Sequence, residues 1–344
     1  MAIHIKTALG LGIATLTTVA AAQPAKPAPA PARSADAKPA LDRSILHVQV
    51  ILDKLGFSPG MLDGRRGMSL TAALKGFQEA RGLPITGEID AATLGLLHDY
   101  RAWRPTRTLT LTEAALAGPY VNPIPKSEME QAKLPSLGYR TPLEKLAEMF
   151  HTTPAVLVEL NSPDTKLTPG TRVVFPNALP TSRAYDSKLR EDWRATLAML
   201  NVDANAPKGA KVVVDKSDSV LRVLDKQGKL IGQFQVTTGS AHDPLPIGTW
   251  KIWAADYNPR FRYNPDLFWD AKSTDKKALL PPGPNGPVGV VWLDLNKEHY
   301  GLHGTPEPQF IGRTESHGCV RLANWNAARL ALMVGIGTPV IFQE

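Results

Sequence analysis

From Ser44 onward the apolar residues fall at helical spacing. Ile45, Val48, Ile51, Leu52 and Leu55 line one face, with Ser44 placed to cap the helix and Gly56 to stop it. A glycine-rich loop, PGMLDGRRG, comes next. Ser69 is then placed to cap a second helix carrying Leu70, Ala73, Leu74 and Phe77, and Asp90 a third carrying Leu94 and Leu97. Together they predict a compact three-helix unit over residues 44–100. Between 101 and 177 the signal thins. A proline-containing spacer, GPYVNPIPK, leads to a helix with Leu143, Leu146, Ala147 and Phe150 on one face, then to another starting at Pro154 with Val156, Leu157 and Leu160. LTPGTRVVFPN closes the segment as a turn and a short strand. Residues 178–209 predict a connector in which Leu189, Trp193, Leu197 and Leu200 form a helix able to brace the next domain.

At Ala210 the period changes to two. Val212 and Val214, then residues 220–224, 229–237, 247–253, 288–295 and 339–342, read as strands, and a single helix from Asn324, its cap, runs to Met333. Many strands with few helices predict a mostly β domain, a sandwich or barrel, over residues 210–344. The fold class is therefore multidomain α+β. Residues 254–287 break the strand pattern with Tyr257, Phe261, Tyr263, Phe268 and Trp269 followed by PPGPNGP. A long irregular stretch inside a compact domain is expected to be a lid or binding wall, and Tyr263 is a candidate substrate contact.

The first residues carry one lysine, a short apolar run and Ala20-Ala21-Ala22. They read as a secretory signal peptide over residues 1–22, cut before Gln23. Residues 23–43 are Pro/Ala-rich and predict an extended tether. The expected location is the periplasm, associated with the cell wall, with no transmembrane segment after signal cleavage. A formal charge of +7 suits an anionic surface such as a cell wall or a membrane. The basic residues are dispersed, which with export argues against nucleic acid as a partner.

The candidate chemistry sits in HGTPEPQFIGRTESHGCVR, residues 303–321. It holds Cys319, the only cysteine of the 344 residues, with His317 two positions before it and His303 further upstream. The thiolate is the nucleophilic form, and an imidazole beside the thiol favours it. If residues 316–319 are extended, His317 and Cys319 share a face, and Gly318 lets a carbonyl approach the backbone N–H groups. Arg321, on the same alternation, supplies a fixed charge for a carboxylate or oxyanion. An inert buried cysteine would have apolar flanks, and a zinc site would need a fourth ligand that the sequence does not offer. A nucleophile is the reading that remains. Spacing alone does not choose between His303 and His317 as its base.

These residues resemble the signature of the YkuD-type L,D-transpeptidases: His-Gly-Thr, a gap, Ser/Thr-His-Gly-Cys, and an arginine or asparagine shortly after. Here it reads His303-Gly304-Thr305, Ser316-His317-Gly318-Cys319 and Arg321, and the likeness extends over residues 210–344. The resemblance implies Cys319 as nucleophile and His303 as proton donor and acceptor, its ring oriented by the Gly304 carbonyl. It implies an oxyanion site lined by His317, Gly318 and Cys319, with Ser316 supporting the turn, Arg321 meeting substrate charge, and Thr305 completing the first half of the motif.

Residues 44–100 resemble the peptidoglycan-binding-domain-1 family through Val48-Gln49, Leu55-Gly56-Phe57, Pro59-Gly60, Asp63-Gly64, Gly67, Ala73-Leu74, Phe77-Gln78, Gly82-Leu83, Thr86-Gly87 and Thr93. Arg65 and Arg66 in its loop are candidate ligand contacts. Residues 119–177 resemble a LysM module through the helix pair, Asn161 and Pro169-Gly170-Thr171, although Tyr139-Arg140 stands where Gly-Asp is usual.

The resemblances imply attack on the bond after the third residue of a peptidoglycan tetrapeptide stem, release of D-alanine, and resolution of the thioester by a second stem to give a 3-3 cross-link. A wall-attached lipoprotein is an alternative acceptor. Resolution by water would make an L,D-carboxypeptidase, and loss of chemistry a wall-binding protein. Partners are stem peptides and glycan strands, with no cofactor and no metal. The 44–100 unit is expected to target the wall from its tether, leaving the domain from Ala210 self-contained.

Overall fold

The computed structural model describes residues 40–344 except Trp269, Asp270, Ser273 and His317. The signal-like leader and most of the Pro/Ala-rich stretch lie outside the described residues. Ala40–Glu344 forms one compact unit.

Helix α1 (Arg43–Lys54) is capped by Asp42, whose carboxylate accepts from the N–H groups of Ser44 and Ile45, and not by Ser44. A charged acceptor at a helix N-terminus outcompetes a hydroxyl. The preceding residues are engaged too: Leu41 N–H donates to Glu159 Oε1 at 2.8 Å and Asp42 N–H to the Gly64 carbonyl at 2.9 Å. Gly56 follows the helix at φ +88°, a backbone state that suits glycine at this position. Helix α2 (Met68–Ala80) starts at Gly67 without a side-chain cap, so Ser69 falls inside the first turn. Helix α3 (Ala91–Leu97) is capped by Asp90, which accepts from Thr93 N–H at 2.8 Å.

The middle segment contains β1 (Thr106–Thr110), the short helices α4 (Glu113–Leu116) and α5 (Glu128–Gln131), α6 (Pro142–Met149), α7 (Pro154–Leu160) and β2 (Arg172–Pro176). Thr141 and Thr153 cap α6 and α7, each with proline at the first helical position. Strand β2 pairs antiparallel with β1, Thr106 opposite Pro176, so the segment begins upstream of residue 119. Helix α8 (Glu191–Met199) follows.

The β-rich domain comprises β3 (Lys211–Asp215), β4 (Val220–Leu224), β5 (Leu230–Gln235), β6 (Gly248–Tyr257), β7 (Phe261–Tyr263), β8 (Ala278–Leu280), β9 (Val291–Leu295), β10 (Gly301–His303), β11 (Val320–Arg321), α9 (Asn324–Met333) and β12 (Pro339–Gln343). Eight strands form one sheet in the order β11-β10-β9-β6-β12-β3-β4-β5, parallel at β11-β10 and at β12-β3. Past β5, Thr237 and Arg321 exchange N–H···O bonds of 3.1 and 2.9 Å. The first and last strands of the order are thereby joined, which curls the sheet toward a barrel. The 254–287 stretch departs from the expected irregularity: β6 runs on to Tyr257, and β7 and β8 form a separate antiparallel ribbon.

The expectation that the three-helix unit stands away on a tether does not hold. Ser58 N–H donates to Gln233 O at 2.8 Å and Gln233 N–H to Gly56 O at 2.9 Å, so Phe57 adds a parallel bridge to the outer edge of β5. This covers an edge that would otherwise invite pairing with another chain. Leu230 of β5 lies inside the apolar core of α1 and α2. Helix α1 is apolar on two sides: Val48, Ile51 and Leu52 face that core, while Leu46 and Val50 join Leu62, Leu146, Phe150, Leu157 and Phe175. Such a helix is buried on both. The β-rich domain is not self-contained either, because Trp193, Leu197, Leu200 and Val202 are fully buried members of its core.

His151 is where the three segments meet. It is fully buried, with Nδ1 2.9 Å from Asp53 Oδ2, Nε2 2.8 Å from the Leu200 carbonyl, and its ring stacked on Trp325 at 5.0 Å. Burial alone would raise the Asp53 carboxyl, but His151 and Arg329 beside it hold it down at about 2. A lowered carboxyl pKa means the contribution is present above the ordinary value and is lost as pH falls toward 2. Asp53→Asn is expected to cost about 3 kcal/mol at neutral pH, because His151 and Arg329 keep their positions without a charged partner. Denaturant melts of both proteins check this, and a difference within the error of the melts would contradict it.

Candidate active site

Three adjoining strands carry the chemistry. Parallel pairing sets His303 opposite Arg321, and antiparallel pairing sets His303 opposite Trp292 and Gly301 opposite Asp294. Paired residues share a face, so Trp292, His303 and Arg321 stand side by side, with Gly301 and Asp294 two residues along on the same face. Cys319 ends the turn that feeds β11, and its Sγ lies 3.5 Å from the His299 carbonyl.

That turn is not the extended run assumed from the sequence. Ser316 Oγ donates to the Cys319 carbonyl at 2.6 Å, and Gly318 sits at φ +100°. A Cβ at Gly318 would lie 2.8 Å from the Tyr300 ring, so the backbone and the neighbour both require glycine. The alternation begins only at Val320. His317 lies outside the described residues.

His303 is buried and stacks on Trp292 at 5.2 Å, and its Nδ1 is 2.7 Å from the Gly304 carbonyl. A carbonyl only accepts, so Nδ1 donates to it and a neutral ring presents a lone pair at Nε2. Burial, then the charge of Arg321, push the imidazole down to about 3 despite the bond to Gly304. Burial pushes the half-buried Cys319 thiol up to about 11, against the pull of the Gly301 backbone and Arg321, with Asp294 adding to the rise. Both groups are therefore neutral at rest near pH 7, and the thiolate expected from an adjacent imidazole is not the ground state. Alkylation of Cys319 by iodoacetamide should climb with pH through neutrality toward about 11. His303→Ala should leave that profile in place. A rate plateau between about pH 6 and 8 would instead reveal a resting thiolate.

Thr305 is buried and its Oγ1 accepts from Glu307 N–H at 3.3 Å. Tyr263 lies on the β7–β8 ribbon, its ring 5.5 Å from Phe268 and its hydroxyl 3.4 Å from Asp275. Among the described residues no three His, Cys, Asp or Glu side chains gather as a metal group.

Asn324 was expected to cap α9, but Ala323 precedes the helix and the Asn324 side chain lies against Val290 and Gly304, next to His303. Its Oδ1 accepts from Val290 N–H at 3.2 Å, and a Cβ at Gly304 would come within 2.1 Å of it. Its Nδ2 donates to Glu148 Oε1 at 2.9 Å and to the Pro284 carbonyl at 3.1 Å. Glu148, on α6, also accepts from the Tyr139 hydroxyl at 2.6 Å. Burial raises Glu148 to about 7, with the bonds from Tyr139 and Asn324 opposing. A carboxyl raised in the fold stabilises in its neutral form, and that contribution is lost as pH rises through about 7. From about pH 4 to pH 8 the wild-type protein should therefore lose on the order of 3 kcal/mol that Glu148→Gln retains. Parallel stability curves for the two proteins would refute this.

Two stretches of the chain match known domain families. Residues 209–342 match the L,D-transpeptidase catalytic domain, YkuD. The C-terminal domain is an L,D-transpeptidase catalytic domain. Residues 43–97 match the putative peptidoglycan binding domain, PG_binding_1. The putative L,D-transpeptidase YkuD of Bacillus licheniformis is 49% identical over 59 residues, 17% of this chain and 36% of that protein. The putative L,D-transpeptidase YqjB of Bacillus subtilis is 27% identical over 143 residues, 40% of this chain and 73% of that protein. The chain spans only 36% and 35% of the length of the first curated relatives it matches. Among solved structures, an L,D-transpeptidase from Xylanimonas cellulosilytica aligns with a TM-score of 0.37 at 14% identity, over 90% of this chain and 100% of that one. L,D-transpeptidase 3 from Mycobacterium tuberculosis, in complex with a faropenem-derived adduct, aligns with a TM-score of 0.32 at 19% identity, over 40% of this chain and 61% of that one. In the transpeptidase domain, sequence reasoning missed Trp292, Asp294, Tyr300 and the role of Asn324. Only strand register brings the first three to the thiol and the imidazole.

Proposed function

We propose that the protein is a peptidoglycan L,D-transpeptidase that works through a thioester on Cys319. The observation that carries this reading is the His303 Nδ1–H bond to the Gly304 carbonyl, which leaves Nε2 as a base on the strand beside the cysteine turn. The neutral thiol gives its proton to Nε2 as sulfur attacks the carbonyl carbon of the third stem residue. Collapse of the adduct breaks the peptide bond, and the D-alanine nitrogen leaves with that proton. The amine of a second stem then attacks the thioester, passes its proton to His303, and the thiol leaves with it, closing a 3-3 link. Arg321, whose charge acts on both the thiol and the imidazole, serves substrate or oxyanion charge. Gly318 N–H and the residues around it form the oxyanion site, and Tyr263 contributes to the wall of the groove.

In this reading the protein works outside the inner membrane, with a signal peptide at residues 1–22; none of the described helices is long and apolar enough to cross a membrane. The peptidoglycan-binding module supplies contact with the wall, and the LysM-like segment acts as the brace that carries Glu148. A lipoprotein amine is an alternative acceptor. The test is incubation with purified tetrapeptide stems and mass analysis. Dimers lacking one D-alanine are expected. Tripeptide monomers alone would make the enzyme a carboxypeptidase, and unchanged stems would leave a wall-binding protein.

A further inference from the structure

Asp294 stands beside the nucleophile, yet the chemistry proposed above gives it no task. It lies on β9 directly opposite Gly301 of β10, and the Gly301 backbone is bonded to the Cys319 thiol, so one residue separates carboxylate and sulfur. Gly301 has no side chain of its own to fill that gap. A Cβ there would lie 2.6 Å from the Trp292 ring, which occupies the position instead. The indole Nε1–H donates to Asp294 Oδ1 at 3.1 Å, and the same ring stacks on His303 at 5.2 Å. Carboxylate, indole and base thus form one continuous surface next to the thiol.

The indole bond is the one hydrogen bond that the described residues give Asp294, and none of them forms an ion pair with it. The residue is partly exposed, and its other oxygen, Oδ2, is open to water. A carboxylate here works against the sulfur, because it disfavours the thiolate and adds to the rise in the thiol. A group that opposes the first half-reaction points to a use in the second. Once the acyl-enzyme has formed, the sulfur is an uncharged thioester, and the acceptor arrives as a primary amine that is an ammonium ion near pH 7. Its nitrogen must come within about 3–3.5 Å of the carbonyl carbon bonded to Sγ, which brings it past Asp294. Water, the rival acceptor, carries no charge for a carboxylate to favour.

We propose that Asp294 selects the acceptor: its Oδ2 receives the ammonium of the second stem at the acyl-enzyme and favours aminolysis of the thioester over hydrolysis. This rests on the reading that Cys319 carries a thioester. The bound ammonium gives one proton to water through the carboxylate, and the free nitrogen attacks the thioester carbon. Its second proton passes by way of His303 to the departing sulfur, so a C–N bond replaces the C–S bond and the thiol is restored.

The test gives the whole chain and its Asp294→Asn variant purified tetrapeptide stem, alone or with methylamine, an ammonium ion near pH 7, or hydroxylamine, which is uncharged there. Mass analysis counts the products and the acyl-enzyme. The asparagine oxygen still accepts from Trp292, so a role confined to holding the indole predicts no change. In the variant the ratio of dimers to tripeptides should fall about tenfold or more, and capture by methylamine should fall with it. Capture by hydroxylamine should stay within about twofold, and acylation, freed of the opposing charge, should not slow. An unchanged ratio, or an equal loss with both probes, would overturn the proposal. So would slower acylation at an unchanged ratio, which would set the carboxylate against the donor stem. In the wild-type protein added salt should lower the ratio of dimers to tripeptides but not capture by hydroxylamine. A salt-independent ratio, or tripeptides alone, overturns the proposal even where the variant does not fold. Wild-type protein that forms no acyl-enzyme would sink the proposed function and this inference with it, whereas an acyl-enzyme whose partitioning ignores Asp294 sinks this inference alone.

Discussion

Cys319→Ala is expected to lower turnover of tetrapeptide stems by about 10⁴-fold or more while leaving the fold intact. The chain has no second cysteine to take over. His303 cannot replace it, because its Nδ1 is held by Gly304 and its Nε2 has no thiol proton to receive. Structurally the loss is small. The side chain is half-buried, and the bond from its sulfur to the His299 carbonyl is long at 3.5 Å. The contacts that shape the turn survive, since Ser316 Oγ binds the Cys319 backbone and not its side chain. Stability should therefore change by less than about 1 kcal/mol. Thermal melts and a stem-peptide assay check the two halves. Activity above a few per cent of wild type would mean that another group is the nucleophile.

A chain beginning at residue 210 is expected not to fold. It lacks Trp193, Leu197, Leu200 and Val202, four fully buried side chains of the transpeptidase core. At roughly 2 kcal/mol each they contribute about 8 kcal/mol, comparable to the whole stability of a domain. It also lacks the Phe57 bridge that covers β5, the helices packed on Leu230 and the His151 ring on Trp325. Glu148, which holds Asn324 against the Gly304 turn, is gone as well. Near-ultraviolet circular dichroism and gel filtration should show a loosely packed or aggregated species without turnover. A monomer with native-like spectra that acts on soluble stems would show that the shared cores are dispensable.

The parts of this architecture legible in the sequence are those where one face of an element meets a core. Strands β3, β4 and β12 announce themselves because Val212, Val214, Val223, Val340 and Phe342 alternate with partly or fully exposed residues. Strand β1 does not, because Thr106–Thr110 has no buried residue. Helix α1 carried more information than its first stripe: Leu46 and Val50 mark a second apolar side, which implies a partner on each. Caps were harder, since Asp42 and Ser44, or Gly67 and Ser69, lie close enough to compete for the same helix start. At the site, Cys319 and His303 stood out because their residue types are rare in that setting. Trp292, Asp294 and Tyr300 are ordinary strand and turn residues that only the register of β9 and β10 brings alongside. Glu148 comes from a helix far away in the chain, and no local pattern ties it to Gly304.

The account turns on a thioester at Cys319, and intact-protein mass spectrometry tests it directly. The whole chain is mixed with purified tetrapeptide stem without an added acceptor amine and quenched in acid. The account predicts a species heavier than the free protein by one tripeptide acyl group, carried on the peptide containing Cys319, removed by hydroxylamine and absent from Cys319→Ala. Consumption of the stem with no adduct, or an adduct on any other residue, would contradict it.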